Sequence, residues 1–403
     1  MPAMESDDEP QSHSSTSRVL RALTLGGVSV LALAIAGLSY LHPGWDFSNA
    51  ASQATTTNIV GSRHLAAVDF VTPAAGWVVV EGPTHDFEVL HTSDAGETWH
   101  RQLAASNEAI GEYLRFFDAS NGVVVVLGAQ SGLYRTSDGG TTWARQALTG
   151  AGGYVLSADF VDADHGWLLA QASTEGETLL RTQDGGSTWI GLGNPVAYSD
   201  WAYRVVFADS RDGWLYTEST APYAYKSEDG GSSWNRIGLP GPAGGWPIPD
   251  GVRVSVAARP THGAGVSVTV VIGPAQALPT PGSSISRSDP PQPANQFQLS
   301  SVDGGHSWKA FSMPASQGVI AYVDAFNWWW IGSGVQAKST NAGGTWSPIR
   351  SLLVPAPLPE SVQIIDATHI WFGAMAGTRP LVESTDDGGV SWTMFLLPSV
   401  AAS

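Results

Sequence analysis

Cysteine is absent from this 403-residue chain, which excludes disulfide bonds, thiolate metal sites and cysteine nucleophiles. Lysine is nearly absent, with three Lys against sixteen Arg, and the net charge is −17. An acidic surface repels phosphate backbones, so nucleic acid is not expected as a partner. Charged residues make up only 14% of the chain, whereas 46 glycines and 17 tryptophans favour short strands and tight turns over helices.

One eight-residue pattern, Ser/Thr-x-Asp-x-Gly-x-Ser/Thr-Trp, occurs seven times, at residues 92–99, 136–143, 182–189, 227–234, 301–308, 339–346 and 385–392. Its acidic position is occupied by Asp94, Asp138, Asp184, Asp229, Asp303, Asn341 and Asp387. Glycine permits the positive φ that such a hairpin turn needs, and the carboxylate can accept N–H groups of its own turn. We therefore interpret these seven residues as structural, and not as catalytic groups or metal ligands.

We call each copy of this eight-residue pattern a box. A second element precedes each box by some twenty residues. It consists of an apolar strand, a polar turn and a second strand that often starts with Gly-Trp, as in residues 68–80 and 158–170. Each repeat thus reads as four strands in about forty residues, which is propeller periodicity. The sequence predicts an all-β, seven-bladed β-propeller over residues 63–400. We label the four strands of a repeat A to D. The box turns, which join strands C and D, and the A–B turns are expected on one face of the propeller.

The N-terminal part differs in composition from the rest. Residues 1–17 are polar and acidic and are expected to form a disordered cytoplasmic tail. Residues 18–41 contain an uncharged run, 22–41, long enough to cross a bilayer once, and Arg18 and Arg21 precede it. This pattern predicts a single-pass membrane protein with a cytoplasmic N-terminus, a flexible linker at 42–62 and an extracytoplasmic propeller. A cleaved signal peptide with the site Ala34-Ile35-Ala36 is the alternative, and a buried core helix is a third.

The boxes resemble the Asp-box (bacterial neuraminidase) repeats of sialidases, sortilin-type receptors and photosystem II assembly-factor propellers. The combination of a Phe-x-Asp…Gly-Trp element with Thr-x-Asp-Gly-Gly-x-Thr-Trp over residues 64–397 is most similar to the assembly factors. That resemblance implies a propeller that docks a client through an arginine-rich patch, for which Arg115, Arg204 and Arg253 are candidates. The net negative charge of the chain differs from the positive charge that such a patch would carry.

Resemblance to sialidases would imply a Phe-Arg-Ile-Pro element, three arginines, a Tyr–Glu nucleophile pair and an Asp acid/base. The chain lacks Phe-Arg-Ile-Pro, and its pairs Arg259-Pro260 and Arg379-Pro380 occur late. Its ten histidines show no zinc-binding spacing, so no metal and no cofactor are expected. We interpret the chain as non-enzymatic, with a sialidase-type exo-glycosidase and a carbohydrate-binding or envelope-sensor propeller as alternatives.

Three enlarged connections, 191–203, 238–251 and 274–296, are expected in one sector of the face opposite the boxes. Loops carry binding function on a rigid scaffold, and aromatic side chains with arginine are typical of interfaces. The candidate binding residues in this sector are Tyr198, Asp200, Trp201, Tyr203, Arg204, Tyr223, Trp246, Asp250 and Arg253. The expected partner of a monomeric chain is a protein client at the membrane surface, or a glycan. The alternative is that Trp201 and Trp246 are local core; Trp328–Trp330 are expected to be core.

Overall fold

Twenty-eight β-strands make up the secondary structure that the computed structural model describes. It describes residues 63–82, 86–105, 112–148, 153–172, 176–197, 200–248, 250, 252–261, 263–274, 295–314, 318–332, 335–350, 362–376 and 379–398. All of them belong to one unit, Asn58–Ser403. The predicted tail (1–17), anchor (18–41) and linker (42–62), and nearly all of the 274–296 insertion, lie outside these residues. Among the described residues, no helix is long and apolar enough to cross a membrane.

The strands form seven consecutive groups of four, which we call units 1 to 7. Units 1 to 4 contain β1 (His64–Phe70), β2 (Gly76–Glu81), β3 (Phe87–Thr92), β4 (His100–Ala105); β5 (Glu112–Phe116), β6 (Gly122–Val126), β7 (Gly132–Thr136), β8 (Ala144–Ala147); β9 (Gly153–Phe160), β10 (Gly166–Ala172), β11 (Gly176–Thr182), β12 (Ile190–Gly193); β13 (Trp201–Phe207), β14 (Gly213–Ser219), β15 (Tyr223–Ser227), β16 (Asn235–Gly238). Units 5 to 7 contain β17 (Val252–Pro260), β18 (Val266–Pro274), β19 (Asn295–Ser301), β20 (Lys309–Phe311); β21 (Gly318–Tyr322), β22 (Trp328–Gly332), β23 (Val335–Ser339), β24 (Ser347–Arg350); β25 (Val362–Ile364), β26 (Ile370–Ala376), β27 (Arg379–Thr385), β28 (Thr393–Leu396).

Each unit is an antiparallel meander, and the all-β, propeller-like architecture of four-stranded sheets is as predicted. Within the strands, most of the exposed residues lie on the fourth strand of each unit, so the fourth strands form the outer edge of the units. The first strands of successive units pack side by side, as β1 does with β5 and β9 with β13. β25 and β26 pack against β1, so the last unit is a neighbour of the first.

Units 4 and 5 depart from the predicted separation of the blades, because β14 pairs with β15 over only three residues and then with β17. The free half of β14, Tyr216–Ser219, therefore bonds to Val254–Ala257, and the two units share one continuous sheet.

The Gly-Trp pair of the repeats has a packing explanation at the interfaces between units. Phe70 at the end of β1 stacks on Trp371 of unit 7 at 3.9 Å between centroids and meets the edge of its own box tryptophan, Trp99, at 6.2 Å. The Phe70 ring also covers Gly76, where an added Cβ would lie 2.3 Å from the ring. Aromatic rings in such stacked and edge-to-face pairs add to the burial of apolar area.

The same arrangement recurs at two further interfaces between units. Trp77 stacks on Phe116 at 3.5 Å, and Trp167 stacks on Phe207 at 3.6 Å. At these interfaces the tryptophan in the second position of the second strand of one unit packs on the phenylalanine of the next unit. In unit 6 the side chains of Trp328–Trp330 are all buried, as predicted for core residues.

Candidate functional site

The Asp-box turns form one face together with the A–B turns. In each of the seven units a backbone N–H of the box bonds to a carbonyl of the A–B turn of the same unit, for example Gly139 N to Ser120 O at 2.8 Å. The predicted placement of both turns on one face is therefore confirmed.

The acidic position of each box closes its turn with side-chain hydrogen bonds. Asp138 Oδ1 accepts the Thr142 N–H at 2.9 Å and the Thr136 hydroxyl at 2.9 Å, while Oδ2 accepts the Thr142 hydroxyl at 2.7 Å. The Thr136 hydroxyl oxygen in turn accepts the Gly140 N–H at 2.8 Å. Equivalent bonds are formed at Asp94, Asp184, Asp229, Asp303, Asn341 and Asp387. With their oxygens engaged in this way, these side chains hold the turn.

The first strands carry a second set of polar side chains, which link neighbouring units. Asp69 Oδ2 accepts the backbone N–H of Phe116, and Asp159 Oδ2 accepts that of Phe207 at 2.6 Å. In unit 2 the position of Asp69 is occupied by Arg115, which cannot accept. There the hydroxyl oxygen of Tyr113 accepts the Phe160 N–H at 2.9 Å.

The same link closes the ring between unit 7 and unit 1. Gln363 Oε1 accepts the N–H of Phe70, and Gln363 Nε2 donates to Asp69 Oδ1 at 2.7 Å. Asp69, Arg115, Asp159 and Gln363 line a cavity of about 320 Å³. Because both carboxylates accept backbone N–H groups across an interface, their geometry is that of structural links.

The Asp159 link predicts an unusual pH dependence of stability. Burial raises the pKa of Asp159 to about 6, above the value of about 3.9 expected in the unfolded chain. The folded state therefore binds this proton more strongly. The resulting contribution to the free energy of unfolding is complete below about pH 4 and is lost as the pH rises through 6. Asp159→Asn keeps an acceptor for Phe207 but cannot titrate. We expect the free energy of unfolding of the wild type, relative to this variant, to fall by about 2–3 kcal/mol between pH 4 and pH 7.

Urea denaturation across this pH range measures that difference, and Asp387→Asn is the control. Burial acts to raise the pKa of Asp387, but hydrogen bonds from Ser391 outweigh it and lower the pKa to about 2. Its contribution is present above about pH 4 and is lost as the pH falls through 2, which is the opposite trend. Parallel pH profiles for wild type and Asp159→Asn would contradict the role of Asp159.

The predicted binding residues fall into separate groups. Trp201 is the half-buried first residue of β13 and its ring lies 5.8 Å from that of Tyr203. Tyr203 meets the ring of Tyr216 edge-on at 6.0 Å, and the Arg204 guanidinium lies 5.2 Å from the centroid of Tyr216. Burial raises the pKa of Tyr203 above its usual value. These residues belong to the inner strand of unit 4 and its contact with unit 5.

Asp200 and Tyr223 belong to a second group, which is built on a cross-strand arginine. Asp200 is buried; its Oδ2 accepts the Tyr225 hydroxyl and forms an ion pair with Arg236 Nη2 at 3.0 Å. The same guanidinium lies 5.3 Å from the centre of the Tyr223 ring and donates to the Tyr225 hydroxyl. This cluster is satisfied internally, and sequence reasoning did not include Arg236 in it.

Trp246 lines a groove of about 530 Å³ beside unit 5. Its ring meets Phe297 edge-on at 4.9 Å, and its Nε1 donates to Leu239 O at 3.0 Å. The walls are Pro240–Pro242, Gln296–Leu299 and Ala310–Met313. Because β19 begins and β20 ends at this groove, it lies away from the box turns, where the strands of each unit have their other ends. Of the predicted residues, only Trp246 lines this groove.

The remaining members of the predicted set are peripheral to the groove. Arg253 lies near the start of β17 and its charge acts on Glu218, while Asp250 is an exposed turn residue. Tyr198 lies outside the described residues. Sequence reasoning missed Phe297, whose only signal was its position at the end of the long insertion. Within the ranges that the structure describes, no group of three or more His, Asp or Glu side chains could hold a metal ion.

Comparison with known proteins agrees with the geometry. Residues 87–230, about a third of the chain, match the model of the Sortilin-Vps10 family, described as Sortilin, neurotensin receptor 3. The chain contains an Asp-box propeller domain. No protein of curated function matches the sequence.

Several solved structures are similar in fold at low sequence identity. A structure of YCF48 bound to a D1 peptide has 15% identity over 81% of this chain and 94% of that chain, with a TM-score of 0.51. A prolyl endopeptidase structure has 9% identity over 88% of this chain and 54% of that chain, with a TM-score of 0.51. YCF48 from Cyanidioschyzon merolae has 16% identity over 84% and 86%, with a TM-score of 0.43. At these identities the likeness concerns the fold alone.

Proposed function

We propose that this chain is a seven-bladed, membrane-anchored propeller outside the cytoplasm that binds an extended segment of a protein client and catalyses no reaction. The groove around Trp246 carries this proposal. It combines an aromatic pair, Trp246 and Phe297, with an open volume of about 530 Å³ on the side away from the boxes. Trp is the residue type most enriched at interface hot spots, and a half-exposed ring beside apolar walls is an anchor for a client side chain.

The outer wall of the groove adds a backbone element. β20 is the last strand of unit 5, and among the described strands it pairs with β19 alone, which leaves its other edge for a further strand. Lys309 and Ala310 in this strand are exposed, and Ala310 and Phe311 line the groove. An extended peptide could pair with such an edge while its side chains enter the groove. The similar propeller YCF48 is known in a complex with a D1 peptide, which supports a peptide segment as the client chemistry.

Client capture by variants of the full-length chain tests the role of the groove. We expect Trp246→Ala to reduce retention of the client by tenfold or more, because truncating a hot-spot aromatic costs about 2 kcal/mol. Phe326→Ala is the matched control: Phe326 is an exposed aromatic in the A–B turn of unit 6, on the box face. Equal capture by Trp246→Ala and wild type, with both folded, would contradict the proposal.

Membrane attachment rests on the uncharged run 22–41 and the two arginines before it. We expect full-length protein to sediment with membranes and to resist extraction by carbonate. A variant starting at Ser62 is expected in the soluble fraction with its β-rich fold intact. Full-length protein recovered in the soluble fraction without its first residues would instead support the signal-peptide alternative.

A further inference from the structure

The first strand of each unit has one equivalent inward position, and the charge of the residue at this position differs between units. In every unit it lies two residues before the residue that bonds across the A–B turn, as Val71 N does to Ala75 O and Thr261 N to Gly265 O. From unit 1 to unit 7 this position holds Asp69, Arg115, Asp159, Val206, Arg259, Ala321 and Gln363. Asp69 and Asp159 flank Arg115, and both attract its guanidinium. Arg259 has uncharged neighbours on both sides.

Among the residues that the structure describes, no acidic side chain pairs with Arg259. Its only hydrogen bond within the described residues runs from Nε to the Tyr216 hydroxyl at 3.2 Å. Burial acts to raise the pKa of Tyr216, but Arg259 and Arg204 outweigh it and lower the pKa below its usual value. Arg204, in contrast, has the carboxylate of Asp159 nearby. Arg259 is partly buried. A partly buried guanidinium with donors to spare beyond its bond to Tyr216 can hold an anionic ligand.

A cavity of about 200 Å³ opens beside Arg259 between units 5 and 6. Neutral hydrogen-bonding groups line it beside the cation: Tyr216, Ser267, Thr269, Gln296, Gln298 and Tyr322. Trp330, Val319 and Ile320 add apolar lining. The interface has no tryptophan–phenylalanine stack at this point, because unit 5 has Ser267 at the register position of Trp77 and unit 6 has Tyr322 at that of Phe70. Space, one positive charge and polar donors are therefore present together.

We propose that this cavity is a binding site for a small organic monocarboxylate, held by the Arg259 guanidinium with its body among the polar groups of β18 and β19. A single planar guanidinium matches the charge and the two oxygens of a carboxylate. A dianion would leave one charge uncompensated in a partly buried site, which is costly. The site is distinct from the peptide groove, although Gln296, Gln298 and Met313 line both.

Thermal unfolding of the full-length chain in sodium acetate, with sodium chloride keeping the ionic strength constant, tests this site. A ligand that binds only the folded state raises Tm with its concentration. We expect a saturable rise of about 2 °C or more for the wild type and none for Arg259→Gln, which can still bond to Tyr216. Arg135→Gln is the control, because Arg135 also links two units but donates to Gly185 O. It is expected to show the wild-type rise.

A second measurement keeps the proposal testable if Arg259→Gln folds poorly. The side-chain Nε–H resonance of Arg259 in the wild type is expected to shift with acetate along a saturation curve, and not with chloride. Inorganic phosphate is the competing probe. An Arg259-dependent response to phosphate that exceeds the response to acetate would overturn the monocarboxylate assignment. An equal Tm rise in Arg259→Gln, or no saturable response in the wild type, would overturn the site.

Discussion

Replacing Trp167 with alanine is expected to lower the free energy of unfolding by about 3–5 kcal/mol, the range observed for truncation of buried tryptophan. The side chain is fully buried and stacks on Phe207 of the next unit at 3.6 Å. Its Nε1 also donates to Gly230 O at 2.9 Å in the next box. The substitution therefore leaves a cavity and removes a hydrogen bond at the same interface.

Urea unfolding followed by far-ultraviolet circular dichroism measures this loss. Ile190→Ala is the control, because Ile190 is 52% exposed on β12 of the same unit, and surface substitutions usually change stability by less than about 0.5 kcal/mol. A Trp167→Ala variant that unfolds at nearly the same urea concentration as Ile190→Ala would show that the stack contributes little.

Gly166→Ala is the second substitution with a large expected effect, although it adds one methyl group. The new Cβ would lie 2.4 Å from the ring of Phe160, which covers this glycine. The ring must move, and it is held by the edge of Trp189 at 6.1 Å and by its position in the core of units 2 and 3. Overpacking of this kind costs about 1–3 kcal/mol and occasionally more.

Gly191→Ala provides the matched comparison within the same sheet. No atom lies within 4 Å of a Cβ built at Gly191, and we expect a change of less than about 0.5 kcal/mol. The difference in the midpoint of urea unfolding between the two variants is the measured quantity. Equal midpoints would contradict the explanation given for the recurring spacing of phenylalanine and Gly-Trp in the repeats of this chain.

The repeats made the architecture predictable because the hydrogen bonds of each box join residues that are close in the sequence. Asp138 bonds within a few residues of itself, so its role can be derived from eight letters of sequence. The merging of units 4 and 5 could not be derived in this way. It depends on which strand pairs with the half of β14 that β15 leaves unpaired. That partner, β17, is determined by the packing of the two units and not by a local sequence pattern.

The candidate site was predictable only in part for the same reason. Enlarged connections and tryptophan content indicated the sector of Trp246, and the structure has a groove beside this residue. The same composition could not distinguish Asp200, which forms an internal ion pair with Arg236, from a residue available to a partner. Arg259 was noted in the sequence only as part of an unmatched Arg-Pro pair. Its importance follows from the uncharged residues of the neighbouring units, which are far away in the sequence.

Site-directed photo-cross-linking in intact membranes tests the central claim, that a client binds beside unit 5 on the side away from the boxes. A photoreactive amino acid replaces Trp246 in one variant and Phe326, on the box face, in the other. We predict a discrete adduct to a client polypeptide from position 246 and none from position 326. Adducts from position 326 alone, or the same adducts from both positions, would contradict the proposed binding surface.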